Sequence, residues 1–263
     1  MRTPLFALLC GALASLLFAG TATAGTSVPS APPKGKAVLV ANPIYKTGAL
    51  QLQPCQEQPV QRDDLDGSRV YLMFVLDCLN ASWEPQFAKA KIPFVKPKFS
   101  VVSAPGKPTP CGKFPEGAQA FYCPEKKAIV FLLDKNILSV PDDLFLMNVM
   151  SHEYGHHVQN ITGMFRALTK ATAKSVRTKR YLAESRRVEL QAECFGGVFI
   201  GSIWHSLGRR DFDFKYIVKV AQSGYDYVSH GKAANIAHWL KKGFDSESPG
   251  SCNTWAAPAN RVS

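Results

Sequence analysis

Residues 151–159 read Ser-His-Glu-Tyr-Gly-His-His-Val-Gln and contain the pattern His-Glu-x-x-His, spelled by His152, Glu153 and His156. Residues four apart in an α-helix lie on nearly the same face, so the two histidines can present imidazole nitrogens to one metal ion. Glu153, one position round the helix, can lean over the ion and act as the base that deprotonates a metal-bound water. The stretch therefore predicts a central helix, and it requires a third ligand and an open fourth position.

A third ligand is expected from a later helix, which carries Glu189 and Glu193 four residues apart. We assign metal binding to Glu189, because a carboxylate oxygen is an ordinary ligand of zinc. We assign Glu193 the role of accepting the spare N–H of a ligand histidine and so orienting its ring. The alternative is a plain charged helix face. The apolar residues around Glu193 favour a buried and therefore functional pair.

Three long helices are expected from the pattern of apolar and capping residues. The motif helix should run from Asp142 to about Gly163, with acidic residues in its first turn. A buried helix should start at Asp66 and continue to Ala90 after a break near Pro85. A third helix is expected at 176–207, where paired glycines would allow close approach to another helix. Two shorter helices are expected at 216–223 and 233–242.

Short runs of β-branched and aromatic residues predict strands at 99–103, 121–123 and 128–133. We expect the last of these to be the edge strand above the cleft, where an extended peptide could pair with the backbone. The fold class is therefore α+β, mostly helical with a small sheet.

The N-terminus has the pattern of a secretory signal peptide over residues 1–24, with Arg2 before an apolar run and small residues before Gly25. An uncleaved membrane anchor is the alternative. Residues 25–60 are expected to form a linker and an N-terminal arm, and 61–263 a single domain. The chain is therefore expected to be exported, periplasmic or secreted.

Cysteine count and charge limit the compartment and the partners. Six of the seven cysteines follow the expected signal, and an even number in an exported chain indicates three disulfides, with 15 pairings open. The net charge of +11 could favour an anionic envelope surface, or it could be a solvated face. The basic residues are scattered, so nucleic-acid binding is not indicated.

Residues 152–159 and 189–194 together resemble the putative neutral zinc metallopeptidase family of bacteria, gluzincin-like proteins with the patterns His-Glu-x-Gly-His-His-Val-Gln and Glu-Leu-Gln-Ala-Asp-Cys. The similarity covers residues 69–255. Glu193 departs from the family pattern, which usually has Asp, and His238 stands near a usual Arg. Further matches are Cys111-Gly112, Phe121 to Pro124, His230-Gly231, Trp239, Gly243-Phe244 and Cys252 to Thr254.

The resemblance implies a zincin-like fold and one Zn²⁺ per chain, bound by His152, His156 and Glu189, with Glu153 as the catalytic base. None of the departures removes a ligand or the base. With the resemblance in hand, we expect the disulfides Cys111–Cys123, Cys194–Cys252 and Cys55–Cys78.

His230 has two interpretations: it could donate a hydrogen bond to the oxyanion of a tetrahedral intermediate, or simply cap a loop. The expected function is an exported zinc peptidase acting on a peptide or protein. The alternatives are a non-catalytic zinc-bearing envelope protein and a zinc amidase acting on cell-wall material. The oligomeric state stays open.

Overall fold

The computed structural model describes residues 36–140, 142–172, 178–223 and 227–263. The expected signal peptide, the first part of the expected linker and the expected helix start at Val176 lie outside these ranges. Helices predominate beside a small sheet, which confirms the α+β, mostly helical prediction. Among the described helices, none combines the length and the apolarity needed to span a bilayer.

The described elements are numbered here in chain order. The helices are α1 (Lys36–Val40), α2 (Leu65–Ala90), α3 (Lys135–Leu138), α4 (Asp143–Ile161), α5 (Met164–Thr172), α6 (Lys179–Ile203), α7 (Asp211–Ser223), α8 (Tyr227–His230) and α9 (Ala233–Ser246). The strands are β1 (Lys98–Val102), β2 (Pro108–Thr109), β3 (Gly112–Lys113), β4 (Ala120–Cys123) and β5 (Ala128–Leu132). Short 3-10 helices lie at Pro43–Lys46, Pro249–Cys252 and Ala259–Arg261.

Helix α2 runs without interruption through Pro85, so the expected break is wrong. Its cap is Asp64, whose side chain accepts a hydrogen bond from the Gly67 amide, and not Asp66. A proline inside a helix costs about 3 kcal/mol. Trp83 and Phe87, on either side of it, are almost completely buried, and burial of such side chains stabilises by about 1.5–3 kcal/mol each. Packing therefore outweighs the local penalty.

Strand β5 lies at the centre of the main sheet, whose order is β1-β5-β4. It pairs in parallel with β1 and antiparallel with β4, so the prediction that residues 128–133 form the edge strand is wrong. The physical reason is the long-range pairing with β1, which covers the second edge of β5; all five residues of β5 are also buried, as expected of a strand covered on both faces. The strand that borders the cleft is β4.

Helix α4 contains the His-Glu-x-x-His motif and is buried along most of its length. It starts after Asp142, whose carboxylate accepts the Phe145 amide at 2.9 Å, and it ends at Ile161, close to the expected Gly163. Helix α6 crosses it at close range. A Cβ at Gly155 would lie 2.6 Å from the Ala192 carbonyl oxygen, so only glycine fits at this crossing.

Glycines also bring α6 and α9 together, as the paired glycines of the sequence predicted. A Cβ at Gly197 would lie 2.2 Å from the Leu240 carbonyl oxygen, and one at Gly243 would lie 2.0 Å from that of Cys194. Helix α6 is therefore packed between α4 on one side and α9 on the other, and its position relative to the motif is tightly determined.

The six cysteines after residue 36 lie together in three pairs: Cys55 with Cys78, Cys111 with Cys123, and Cys194 with Cys252. These are the pairs that the family resemblance implied. The first joins the N-terminal arm to α2, and the described part of that arm also buries Ile44 and Leu50 in the core. The second closes the segment that leads into β4. The third joins α6 to the C-terminal tail.

Replacing Gly155 with alanine should destabilise the protein, because the added Cβ would overlap the α6 backbone. The expected loss in the free energy of unfolding is about 1–3 kcal/mol, the usual range for overpacking. In an isolated helix the same change would stabilise by about 1 kcal/mol. The sign of the change in unfolding free energy therefore distinguishes the close helix crossing from a simple effect of helix propensity. Urea denaturation measures it, and an unchanged or raised free energy of unfolding would contradict the close crossing.

Candidate metal centre

Three side chains from α4 and α6 converge at the predicted site. The Nε2 atoms of His152 and His156 lie 3.3 and 3.2 Å from Oε2 of Glu189. The two histidines are one turn apart on α4, and α6 brings Glu189 across to face them. The structure thus brings together the three residues that the sequence analysis assigned to zinc.

The opposite nitrogen of each histidine ring has its own acceptor. Nδ1 of His152 lies 2.9 Å from Oε2 of Glu193, and Nδ1 of His156 lies 2.9 Å from Oε1 of Gln159. Both acceptors favour the tautomer with the proton on Nδ1, which leaves the Nε2 lone pair directed at the centre. Glu193 therefore reaches the histidine despite replacing the shorter aspartate of the family pattern.

His230, at the end of α8, also faces this group. Its Nε2 lies 3.3 Å from Oε2 of Glu189, and its Nδ1 lies 3.0 Å from the Ser229 hydroxyl. Ligand atoms of His152, Glu189 and His230 all fall within 4.8 Å of one another. The structure thus places His230 in the lining of the cleft.

The electrostatics of the centre are those of buried carboxylates among imidazoles. Burial alone would raise the pKa of Glu189, but His156 and His152 outweigh it and hold that pKa well below its ordinary value. Burial would likewise lower the pKa of His152, but Glu189 and Glu193 raise it to about 10. The buried negative charge therefore needs positive charge beside it, from protons or from a cation.

The residues present fit a zinc ion. Within the described ranges, Oε2 of Glu189 is buried and makes no hydrogen bond of acceptable geometry, although three imidazole Nε2 atoms surround it. Such an oxygen is costly to bury unless a partner satisfies it. Two imidazoles and one carboxylate are a familiar donor set of catalytic zinc sites.

Glu153 lines the same cleft as the ligand histidines and is itself buried. Burial raises the pKa of its carboxyl, and the two histidines and a hydrogen bond from the Tyr122 backbone amide oppose that rise. The amide belongs to β4, so the edge strand contacts the expected general base directly.

The cleft has a volume of about 480 Å³ and lies between β4, α4, α7 and α8. Residues 116–119, which lead into β4, form its outer rim. A cavity of this size is within the usual range for binding sites of small molecules or side chains.

Two glutamines support the centre, and the sequence analysis gave neither of them a role. Gln159 holds His156 and donates to the Val188 carbonyl at 2.8 Å and to Oε1 of Gln191 at 3.1 Å. Gln191 is fully buried and donates to the Tyr45 hydroxyl and the Cys252 carbonyl. The sequence did contain a signal for Gln159, because it follows His156 by three residues on one helix and the two side chains are therefore neighbours.

The C-terminal tail is bonded to the same part of α6. Thr254 donates from its hydroxyl to the Arg187 carbonyl at 2.8 Å, and the Arg187 guanidinium donates to the Thr254 carbonyl. With the Cys194–Cys252 pair and the Gln191 contact, three positions of α6 around Glu189 and Glu193 are held by the tail.

His157 lies on another side of α4 and is used in packing. Its Nε2 lies 2.6 Å from the Val95 carbonyl oxygen and its Nδ1 3.0 Å from the Tyr122 hydroxyl. Burial lowers its pKa to about 4, so the ring is neutral and accepts from tyrosine. This bond and the one from Asn160 to the Tyr122 hydroxyl, at 2.8 Å, anchor β4 to the motif helix.

Replacing Glu193 with alanine should weaken zinc binding by about 10–100-fold, because the His152 ring would lose the acceptor that orients it. Glu193→Gln is the matched control, since its amide oxygen can still accept from Nδ1 and the loss should be smaller. Competition against a chromophoric chelator measures both affinities. Unchanged affinity in Glu193→Ala would contradict the orienting role.

Sequence comparison agrees with this geometry. The chain is 27% identical over 235 residues, 80% of either chain, to Uncharacterized protein YpfJ of Escherichia coli (strain K12). It is 27% identical over 183 residues to Uncharacterized protein Rv2575 of Mycobacterium tuberculosis, which is 57% of this chain and 59% of the relative. No solved structure matches significantly. Residues 38–213 match the family model described as putative neutral zinc metallopeptidase, and the chain belongs to that family.

Proposed function

We propose that the protein is an exported zinc-dependent peptidase that hydrolyses peptide bonds with Glu153 as general base. The observation that carries the proposal is the convergence of three Nε2 atoms on the buried Oε2 of Glu189, in a cleft that Glu153 also lines. The family match supports zinc and a peptide or protein substrate.

His152, His156 and Glu189 would hold one Zn²⁺ per chain, while Glu193 and Gln159 orient the two histidine rings. When bound, zinc supplies Lewis-acid polarisation of a carbonyl group and lowers the pKa of a coordinated water molecule. The three ligands belong to two long helices that pack closely against each other, so the helix crossing fixes the relative positions of the ligands.

Glu153 moves the proton. Its carboxylate takes a proton from the attacking water and passes it to the leaving amine nitrogen, the two tasks of a general base and then a general acid. Burial raises the pKa of this carboxyl toward the range in which both transfers are effective. The Tyr122 amide positions the carboxylate by a hydrogen bond.

The substrate backbone would pair with β4. Gln119 accepts from the Leu132 amide, and Phe121 stands opposite Val130, so alternate residues of β4 direct their backbone groups toward β5. Ala120 and the Tyr122 carbonyl then face the open edge, beside the metal centre, while the Tyr122 amide bonds Glu153. An extended peptide can add to such an edge by main-chain hydrogen bonds.

His230 would contribute to catalysis as a hydrogen-bond donor. Its Nε2 lies at the same centre, 3.3 Å from Glu189, and an imidazole N–H there can stabilise negative charge that develops on the substrate carbonyl oxygen.

Export is part of the proposal. The three cysteine pairs are suited to an oxidising compartment, and the N-terminal sequence has the pattern of a signal. The net charge of +11 would help the protein stay near an anionic envelope surface.

Glu153→Gln should retain zinc and lose hydrolysis, because glutamine keeps the shape of the side chain but cannot accept the proton. General acid–base catalysis usually contributes about 10²–10⁴-fold, so the rate should fall by at least that factor. The measurement is cleavage of a peptide library, with zinc content determined on the same sample.

The wild type provides the control: a chelator should abolish its cleavage, and added zinc should restore it. Full activity of Glu153→Gln would refute the mechanism. Absence of cleavage by zinc-loaded wild type on every peptide would refute the proposed function and favour a non-catalytic envelope protein or an amidase of cell-wall material.

A further inference from the structure

Asn148 is a buried polar residue in the cleft to which the proposed mechanism gives no task. It lies on α4 one turn before His152, so its side chain shares a face with that ligand. Its exposed fraction is only 3%, yet it lines the cleft. Its carboxamide makes no hydrogen bond within the described ranges and is not among the fully buried groups without a partner, so the amide keeps some access to the cleft.

Apolar side chains line part of the cleft that contains Asn148. Phe145 and Val149 lie beside it on α4, and Val220 and Ala221 of α7 also line the cleft. We call this part of the cleft the Asn148 recess. A side chain that enters it meets apolar walls and one carboxamide, which offers one acceptor oxygen and two N–H donors.

An amide with little exposure makes few hydrogen bonds to water, so a ligand group that bonds to it recovers free energy lost on burial. The other buried asparagines of the chain illustrate the usual solution. Asn80 accepts from the Tyr154 hydroxyl at 3.0 Å, and Asn235 donates to the Ser263 carbonyl at 2.8 Å. Asn148 differs from them in facing the cleft, where a ligand can supply the partner.

A peptide paired with β4 would send alternate side chains toward α4, since successive side chains of an extended chain point to opposite faces. One of them would then enter the Asn148 recess next to the metal ligands. The apolar walls would penalise a charged side chain, and the carboxamide would penalise a purely apolar one.

We propose that Asn148 determines substrate specificity: its carboxamide hydrogen-bonds the tip of an uncharged polar side chain next to the scissile bond. A glutamine-type side chain is the best complement, because its apolar stem fits the walls and its amide offers both a donor and an acceptor. The inference rests on the proposed function in so far as the ligand is a peptide.

Binding tests the inference separately from hydrolysis. The binding protein is the zinc-loaded Glu153→Gln variant. Its ligands are short labelled alanine peptides that carry one glutamine, leucine or glutamate, and the position of that residue is varied along the peptide. Fluorescence anisotropy should show about tenfold tighter binding of glutamine than of leucine at one position, the usual effect of one hydrogen bond. Glutamate should bind least.

Adding Asn148→Leu should abolish or reverse the preference for glutamine over leucine. The same change should leave the thermal midpoint of the free protein unchanged or higher, because it removes no hydrogen bond to the protein and adds apolar surface to a position with 3% exposure. Asn80→Leu is the matched control: it removes a paired buried asparagine outside the cleft, so it should lower the midpoint and keep the preference.

An unchanged ratio of glutamine to leucine affinity in Asn148→Leu would overturn the inference, as would uniform weakening for all peptides or no peptide binding at all. If wild type cleaves peptides but no preference depends on Asn148, only the inference fails. If wild type cleaves none and the preference persists, only the proposed function fails.

Discussion

The close crossing of α4 and α6 at Gly155 is the constraint on which the metal centre depends. The distance between the two backbones leaves no room for a Cβ, and that distance sets how far Glu189 and Glu193 reach toward the histidines. A wider crossing would separate the carboxylates from the imidazoles by more than a hydrogen bond. Gly155, between the two histidines, is therefore required for the geometry of the site although it is not a candidate ligand.

The centre also illustrates how a protein prepares a site for a cation. The buried Glu193 and the half-buried Glu189 face imidazoles whose outer nitrogens are already bonded, so binding of a metal would need little reorganisation. Helices provide this precision better than loops, because each side chain is locked by packing along a whole turn. The edge strand β4 is joined to the same helix by the hydrogen bond between Tyr122 and His157, which fixes the strand relative to Glu153.

Local pattern was sufficient for much of this structure. The motif helix, the partner glutamates and the close-packed glycines could be predicted, because helical spacing determines which side chains share a face. The edge strand could not, since which side of β5 is covered depends on the long-range pairing with β1. The continuity of α2 through Pro85 was missed for a similar reason: the compensating burial of Trp83 and Phe87 comes from other elements. The hydrogen bond between Gln159 and His156 could have been predicted from their spacing of three residues on one helix.

The C-terminal tail holds in place the part of α6 that carries Glu189 and Glu193. It is attached at Arg187, at Gln191 and, covalently, at Cys194, on both sides of Glu189 and Glu193. The tail and the candidate ligand Glu189 are consequently held in one part of the structure, although Cys194 and Cys252 are 58 positions apart in sequence. Detachment of the tail would loosen the part of α6 around Glu189 and Glu193, so we expect Cys252 and Thr254 to affect metal affinity although neither is a candidate ligand.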